Sequence, residues 1–282
     1  DAGRDLGGVG VDVARIAGPG APPVNAVLGA DHVVVGRPGG EPGGVVVGET
    51  RDAAGDAVGA LPLGLQDRQF GPLGQRLGAF RAQLLRDAAL LEVLRTSPKT
   101  AALRPDVTAG LSMGEYTALY AAGALSFEEG LMLVRRRGEA MQAAAEATEG
   151  TMVSLIGLDE DKVRQLCDEA RQGELLEPVN FNCPGQIVVS GSLGACGRAE
   201  TLAAKYGAAK AVRQEVAGAF HTTLMSSAAD TLRQALQHAG ISQPAAARTI
   251  ANITGEYYQT ADGIVEGLTR QLTGAILWHK CM

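Results

Sequence analysis

The clearest candidate for a catalytic group in this sequence is a serine that lies between two glycines. Residues 110–114 spell Gly-Leu-Ser-Met-Gly, a GxSxG motif. The motif follows a predicted strand at 106–109 and precedes a predicted helix at 115–122, and in that context the glycines permit a tight turn that exposes the Ser112 hydroxyl as a nucleophile. Because a helix N-terminus favours negative charge, the Met113 amide is the predicted oxyanion donor. A structural serine is the alternative interpretation.

His221 is the best candidate for a general base. It lies downstream of Ser112, as the order of the triad in α/β hydrolases requires, at the predicted end of a strand and before a helix that runs to about residue 238. His32 and His279 lie in segments without other site features. His238 is near a helix end, where a cation suits the helix dipole. The alternative is a hydrogen-bonded histidine with a structural role.

Arg137 is a candidate for binding an anion. A capping box at residues 126–129 opens a helix that is predicted to run to about Ala147. Arg137 shares the apolar side of this helix with Leu133 and Met141, whereas the two preceding arginines turn away from that side. An arginine on a buried side needs an anionic partner, because its charge cannot be removed. An arginine that snorkels at the rim of the core explains the pattern equally well.

Composition and charge exclude several classes of protein. The 282 residues fit one large α/β domain or a core with a smaller insertion, and 46% hydrophobic residues are enough for a sizeable core. A net charge of −6 argues against a nucleic-acid-binding protein. No apolar run reaches the length of about 18 residues that a transmembrane helix needs. No basic start followed by an apolar run marks a signal peptide, so we expect a cytoplasmic protein with no membrane partner.

The cysteines show no spacing that indicates metal binding. Cys167, Cys183, Cys196 and Cys281 contain no CxxC pair, which argues against a zinc site and gives little support for a disulfide framework. We expect reduced and mostly buried thiols, no bound metal and no cofactor.

The N-terminal segment differs in composition from the rest of the chain. Residues 1–96 contain no Lys, Ser, Cys, Met, Tyr or Trp, and 15 of the 38 glycines fall in the first 60 residues. Valine runs at 33–35 and 45–47 could form short strands, and leucine spacing predicts a helix at 76–97. Elsewhere in residues 1–75 poor order is the default expectation. We leave this Gly/Ala/Val-rich segment, 1–83, unassigned.

Residues 151–216 predict a compact unit between the serine and the histidine. Its predicted strands are 152–157, 175–182, 186–190 and 209–216, and its predicted helices are 159–171 and 194–206. The order βαββαβ is that of a ferredoxin-like unit. A strand at 249–254 and a helix at 262–272 are predicted after the histidine.

Several motifs in consistent order carry a family resemblance. They are Gly110–Tyr116, Arg137-Gly138, Met141-Gln142, Val179–Asn182, Pro184-Gly185, Gly218–His221, Gln271-Leu272 and Trp278. Together they resemble the malonyl-CoA:acyl carrier protein transacylases, over about residues 84–282. The resemblance implies an α/β fold, with an α/β-hydrolase-like core at 84–150 and 217–282 and an inserted ferredoxin-like subdomain at 151–216.

The resemblance also implies roles for individual residues. Ser112 would be the nucleophile and His221 the base, oriented by a backbone carbonyl rather than by an aspartate. The residue that matches Arg137 holds the malonyl carboxylate in this family, and a planar guanidinium suits bidentate recognition of that group. The other implied substrate-binding residues are Phe220, Gln271 and Asn182.

The mechanism that the resemblance implies is a ping-pong transfer between two thiols. Ser112 attacks malonyl-CoA, coenzyme A leaves, and the phosphopantetheine thiol of acyl carrier protein then takes the malonyl group. The implied partners are therefore malonyl-CoA and acyl carrier protein, and no nucleic acid. We expect a monomer.

Three features depart from the family pattern. Leu111 stands where the family usually has His, residues 1–75 contain no Gly-Gln-Gly-Ala-Gln loop, and the chain ends soon after Trp278, where the family continues with a further strand and helix. A catalytically impaired relative or fragment, and a serine esterase or thioesterase, therefore remain alternatives. The GC-rich codon set of residues 1 to about 83 suggests the hypothesis that a misread frame replaced native family sequence there.

Overall fold

The structure, a computed structural model, describes residues 105–282 together with two strands at 32–36 and 45–48. The helix predicted over 76–97 lies outside these described residues, as does most of the N-terminal segment. Both strands expected from the valine runs are present. The described elements form two four-stranded sheets with accompanying helices, so the fold is mixed α/β.

The elements follow one another along the chain in this order. The strands are β1 (His32–Gly36), β2 (Val45–Gly48), β3 (Val107–Gly110), β4 (Thr151–Ile156), β5 (Leu176–Cys183), β6 (Gln186–Gly191), β7 (Lys210–Arg213) and β8 (Arg248–Thr249). The helices are α1 (Gly114–Ala121), α2 (Phe127–Ala147), α3 (Glu160–Arg171), α4 (Leu193–Leu202), α5 (Ser226–His238), α6 (Ala261–Gln271) and α7 (Trp278–Cys281). A 3₁₀ turn, Thr223–Met225, precedes α5.

The first sheet has the strand order β2-β1-β3-β8. Strand β1 pairs antiparallel with β2 and β3, whereas β8 runs parallel to β3. Because parallel strands end at the same edge of a sheet, the residues that follow β3 and β8 come together there. This edge carries the serine turn.

Helices α1, α2, α5 and α6 share one apolar core. Its fully buried members include Tyr116, Leu119, Leu133, Leu232 and Leu268. Helix α2 begins with the predicted capping box: the Ser126 side chain accepts from the Glu129 amide, and the Glu129 carboxylate accepts from the Ser126 amide. The box satisfies helix donors that would otherwise be unpaired, and so sets where α2 begins.

The second sheet has the order β5-β6-β4-β7 and is antiparallel throughout. Helices α3 and α4 contribute to its core, whose members include Val153, Leu155, Val163, Leu166 and Ala199. The helix caps are side-chain oxygens of Asp159 for α3 and Ser192 for α4. The pattern of apolar residues predicted each of these elements to within a few residues at its start.

The segment that follows α6 runs along the β5 edge of the second sheet. The Phe181 amide donates to the Ile276 carbonyl at 2.9 Å, and the Ile276 amide donates to the Val179 carbonyl at 2.7 Å. The segment after α6 thus pairs with β5 and satisfies part of its backbone.

Three predicted features differ from the structure. The strand predicted at 249–254 is only Arg248–Thr249, because the chain turns back at Ala251, whose carbonyl accepts from the Gly255 amide at 2.8 Å. Strand β7 is Lys210–Arg213 rather than 209–216: its last residue paired with β4 is Arg213, which lies opposite Val153. His221 therefore lies in a turn well beyond β7 and not at a strand end.

Two further expectations concern the environment of the cysteines and the character of the helices. Cys167, Cys196 and Cys281 are buried, as expected for most of the thiols, Cys183 is exposed, and none of the four is in a disulfide. Within residues 105–282, no helix has both the length and the apolar character needed to cross a bilayer.

Candidate active site

The Ser112 turn is built by close packing between the end of β3 and the start of α1. A Cβ atom at Gly110 would lie 2.0 Å from the Gly114 carbonyl oxygen, so only glycine fits there. The Gly114 amide donates to the Leu111 carbonyl at 2.8 Å, which closes the turn. Ser112 has a φ of 52°, in the left-handed region that L-residues rarely adopt. The strand–turn–helix context predicted from the motif is confirmed.

Asn252 holds this turn in place. The Ser112 amide donates to Asn252 Oδ1 at 2.6 Å, and Asn252 Nδ2 donates to the Gly110 carbonyl at 2.8 Å. Asn252 is fully buried, and it reaches the turn because β8 runs beside β3. No local pattern marked this residue in the sequence, since its position depends on pairing between strands that are far apart in the chain.

His221 contacts the serine directly. Its Nε2 lies 3.1 Å from Ser112 Oγ, and its Nδ1 lies 2.6 Å from the Gln271 backbone carbonyl. Because a carbonyl can only accept, Nδ1 carries the proton and Nε2 is free to accept the serine proton. His221 also has a positive φ, 61°. The carbonyl of Gln271 takes the orienting position that an aspartate occupies in many triads.

The environment keeps the His221 ring neutral. Burial and, to a smaller extent, the Arg137 charge lower the pKa of His221, the bond to the Gln271 carbonyl partly opposes them, and together they bring the pKa to about 4. Near neutral pH the ring is therefore unprotonated, which is the form that can accept a proton from a hydroxyl.

Arg137 lies in the core beside the serine and not at its rim. Its exposed fraction is 5%. Its Nη2 donates to Ser112 Oγ at 2.8 Å and to Gln271 Oε1 at 3.3 Å, while its buried Nε has no hydrogen-bond partner among the residues that the structure describes. No carboxylate of residues 105–282 forms an ion pair with it. The buried cation thus has an unused donor next to the nucleophile.

Gln271, the last residue of α6, contacts each of these groups. Besides its backbone bond to His221 and its Oε1 bond to Arg137, its Nε2 donates to the Ser112 carbonyl at 3.0 Å. Nε2 also donates to the carboxylate of Glu115. Gln271 is fully buried, so its side chain has no competing contact with solvent.

Glu115 and Tyr258 complete a buried polar cluster that the sequence analysis did not find. The Tyr258 hydroxyl donates to Glu115 Oε1 at 2.6 Å. Burial raises the pKa of Glu115 to about 7, although its donors and the Arg137 charge lower it. A signal was present: Glu115 is an acidic residue directly after the GxSxG motif, at the start of a helix otherwise occupied by apolar and small residues.

The other three predicted site residues, Met113, Phe220 and Asn182, make no hydrogen bond to Ser112, His221 or Arg137 in the part of the chain that the structure describes. The Met113 amide, at the N-terminus of α1, makes no hydrogen bond within the described chain. Phe220 is half-buried and packs against both the main helical core and the cluster of Met152, Val179 and Val188. Asn182 lies in β5, and its buried Oδ1 has no partner among the described residues.

Comparison with known proteins decides the family. Residues 81–273 match the acyl transferase domain. The chain belongs to the acyl transferase family. Among its relatives, the malonyl CoA-acyl carrier protein transacylase of Bacillus subtilis strain 168 is 40% identical over 200 residues, 71% of this chain and 62% of that protein. The protein of the same name from Haemophilus influenzae is 35% identical over 236 residues, 83% of this chain and 75% of that protein.

Solved acyl transferases share this architecture. The structure of the malonyl CoA-acyl carrier protein transacylase from Coxiella burnetii aligns with a TM-score of 0.69 at 36% identity, over 74% of this chain and 66% of that one. The chain thus spans about two thirds of the length of these relatives. The likeness covers the region that holds Ser112, Arg137 and His221, since the matched domain includes all three.

Proposed function

We propose that this acyl transferase moves a malonyl group from malonyl-CoA to the phosphopantetheine thiol of acyl carrier protein through a malonyl-serine intermediate. The relatives described above are named malonyl CoA-acyl carrier protein transacylases. The observation that carries the proposal is the buried Arg137, whose unpartnered Nε faces no competing carboxylate in the described chain and whose Nη2 reaches the nucleophile.

In the first half-reaction, Ser112 Oγ attacks the thioester carbonyl carbon of malonyl-CoA. His221 Nε2 accepts the hydroxyl proton over the 3.1 Å contact, and the Gln271 carbonyl stabilises the resulting imidazolium. The carbon–sulfur bond then breaks, coenzyme A takes the proton from His221 and leaves, and the malonyl group remains as an ester on Ser112.

In the second half-reaction, the thiol of acyl carrier protein attacks the malonyl-serine ester. His221 accepts the thiol proton and returns it to Ser112 Oγ as the ester bond breaks. The base ends each half-reaction neutral, as its lowered pKa favours.

The negative charge that develops on the carbonyl oxygen needs backbone donors. We assign the Met113 amide to this role, because it is unused within the described chain and lies at the N-terminus of α1. The Ser112 amide is already bonded to Asn252 and is not available. A donor of this type contributes about 3 kcal/mol to transition-state stabilisation.

Specificity for a malonyl group follows from the charge of Arg137. The Nε–H and an Nη2–H of a guanidinium point to the same side, which matches the two oxygens of a carboxylate. An acetyl group would leave the buried Nε unpaired, which costs free energy. We assign Gln271 to orienting this guanidinium, and Phe220 and Asn182 to the adjoining walls of the substrate site.

We further propose a division of the chain at the level of domains. Residues 84–150 and 217–282 would form an α/β-hydrolase-like core, and 151–216 a ferredoxin-like subdomain, which the order β5-β6-β4-β7 supports. Residues 1–83 stay unassigned. The chain would act as a cytoplasmic monomer without nucleic-acid or membrane partners, in keeping with its net charge of −6.

Intact-mass measurement tests the function directly. The chain is incubated with malonyl-CoA, and we expect a malonyl adduct that transfers to holo acyl carrier protein when the carrier is added. Ser112→Ala should form no adduct. Ser227→Ala, a change of the same type at an exposed serine of α5, should leave the adduct unchanged.

Each contrary result favours one alternative. A folded chain that forms no adduct contradicts the proposal and favours the impaired relative. An adduct that is lost to water at the same rate with and without the carrier protein, together with fast hydrolysis of simple esters, favours a serine esterase.

A further inference from the structure

The carboxylate of Glu115 lies directly behind the nucleophile turn and has no access to solvent. It is fully buried in the first turn of α1. Three donors converge on it: the Tyr258 hydroxyl at 2.6 Å, the Asn252 amide at 3.3 Å and Gln271 Nε2. Burying a carboxylate is costly unless its oxygens are fully bonded, and here they are.

Two of these three donors belong to residues that hold the reacting groups. The Asn252 side chain accepts from the Ser112 amide and donates to the Gly110 carbonyl. Gln271 binds His221 through its backbone carbonyl and Arg137 through its side-chain oxygen. The Glu115 carboxylate makes no hydrogen bond to Ser112, His221 or Arg137; only the Glu115 backbone amide, as part of the turn, donates to the Ser112 carbonyl at 3.2 Å. Any effect of the carboxylate on the reaction must therefore pass through its neighbours.

Glu115 affects which end of the Gln271 side-chain amide faces Arg137. A primary amide has a donating end and an accepting end, and Gln271 places Nε2 toward Glu115 and Oε1 toward Arg137. If this amide were reversed, its NH₂ would face the guanidinium, and two donors would oppose each other. The ionised form of a carboxyl group can only accept, so Glu115 in that form opposes the reversed amide.

We propose that Glu115 is a positioning residue that fixes the direction of the Gln271 amide and so holds the Arg137 guanidinium in place for a substrate carboxylate. The inference rests on the proposed malonyl transfer. It assigns to Glu115 a part in substrate selection rather than in folding alone.

The neutral replacement Glu115→Gln removes this constraint. A glutamine at 115 can present either its oxygen or its NH₂, so the Gln271 Nε2 keeps the Ser112 carbonyl, at 3.0 Å, as its one partner that can only accept, and the observed direction of the amide is less strongly favoured. We expect the rate of malonyl-serine formation to fall about tenfold or more, the size of effect associated with a hydrogen bond to a charged group. Acetyl-serine formation, which does not use the guanidinium, should change by less than about threefold on the same scale.

The test compares the two acyl donors in three variants. Time courses of adduct formation from malonyl-CoA and from acetyl-CoA are followed by intact mass for the unchanged chain, Glu115→Gln and Tyr258→Phe. Tyr258→Phe removes one donor to Glu115 but keeps the Gln271 bond, so it should retain the malonyl-to-acetyl ratio. Glu256→Gln, the same chemical change at an exposed residue, is the matched control and should alter neither rate.

The outcomes separate the inference from the function on which it rests. No malonyl adduct in the unchanged chain overturns both. A malonyl adduct in the unchanged chain, with equal loss of malonyl and acetyl rates in Glu115→Gln, indicates a merely structural role and overturns the inference alone. A selective loss of the malonyl rate supports it, provided that circular dichroism shows a folded variant.

If Glu115→Gln does not fold, the unchanged chain still gives an answer. The side-chain amide signal of Gln271 is followed by ¹H–¹⁵N NMR from about pH 5 to about pH 9, a range that brackets the pKa of about 7 for Glu115. The other charged or titratable groups that face Glu115 are Arg137, Tyr116, Tyr258 and Cys281. Burial raises the pKa of the last three, so none of them deprotonates near pH 7.

We expect the Gln271 signal to move with a midpoint near pH 7, since its bonded carboxylate changes charge there. A signal that does not move across this range overturns the inference.

Discussion

Two regions of this acyl transferase bury polar groups in different ways. The first region, residues 105–150 and 217–282, buries Glu115, Arg137 and His221, all of which can carry charge. The second region, residues 151–216, buries only neutral polar side chains, such as Ser154 and Ser190. Buried groups that can carry charge near neutral pH are costly, and among the described residues buried Glu, Arg and His side chains occur only in the region that holds the nucleophile.

Exposed ion pairs occur in both regions but are more numerous in the second. The second region carries exposed pairs such as Lys205 with Glu169 at 2.6 Å and Arg198 with Glu174 at 2.8 Å. Exposed pairs contribute little to stability, because water and salt screen them. The apolar core therefore stabilises the second region, whereas part of the interior of the first region is occupied by the polar groups of the candidate site. We expect mutations in the first region to change mainly the rate of acyl-serine formation, and mutations in the second to change mainly the free energy of unfolding.

The largest expected effect is on rate, in the first region. His221→Ala removes the base that contacts Ser112 Oγ, and we expect malonyl-serine formation to slow by about 10³-fold or more. The free energy of unfolding should change far less than this rate. Stopped reactions analysed by intact mass give the rate, and urea titration gives the stability.

The control for this change is His238→Ala, an exposed histidine at the end of α5, which should keep the full rate. In the unchanged chain the rate of acetyl-serine formation, which does not use the Arg137 guanidinium, should hold as pH falls from 7 and decline only near pH 4, where His221 becomes protonated. The sign follows from the lowered pKa, since the neutral ring is the active form. A decline centred near pH 6.5, the ordinary value for histidine, would contradict this role for the buried ring.

A smaller effect, on stability alone, is expected in the second region. Leu166→Ala leaves a cavity at a fully buried position of α3, and the free energy of unfolding should fall by about 3 kcal/mol. The rate per folded molecule should remain unchanged, because α3 contributes no group to the site. A proportional loss of rate in fully folded protein would show that the two regions are coupled.

The smallest effect is expected at the surface of the second region. Lys205→Ala breaks the exposed pair with Glu169 and should lower the free energy of unfolding by less than about 1 kcal/mol, with no change in rate. Thermal melting at low and high salt measures it. A loss as large as that of Leu166→Ala would mean that the pair is not screened as its exposure implies.

The sequence predicted the local features of this molecule well. The GxSxG context, the capping box before α2 and the alternation of strands and helices across 151–216 all depend on neighbours within a few residues. The contact between His221 and Ser112 also followed, because chain order and residue chemistry left few other choices. Arg137 needed the structure, since the helical pattern placed it equally well in the core or at its rim.

Features that depend on distant pairing were beyond the sequence. Asn252 reaches the serine turn only because the two-residue strand β8 lies beside β3. The burial of Glu115 depends on Tyr258 and Gln271, both more than 140 residues away in the chain. The local sequence predicted a strand over 249–254 and gave no sign of the turn at Ala251, which follows β8 and precedes Tyr258.

The left-handed backbone at Ser112 and His221 has a consequence for anyone who would engineer this protein. Each L-residue in that conformation lowers stability by about 1–2 kcal/mol relative to glycine, which adopts it freely. Glycine at either position is thus the most direct way to a more heat-resistant chain, and each such gain would remove the nucleophile or the base. Stability screens that do not also measure acyl transfer would therefore favour inactive variants.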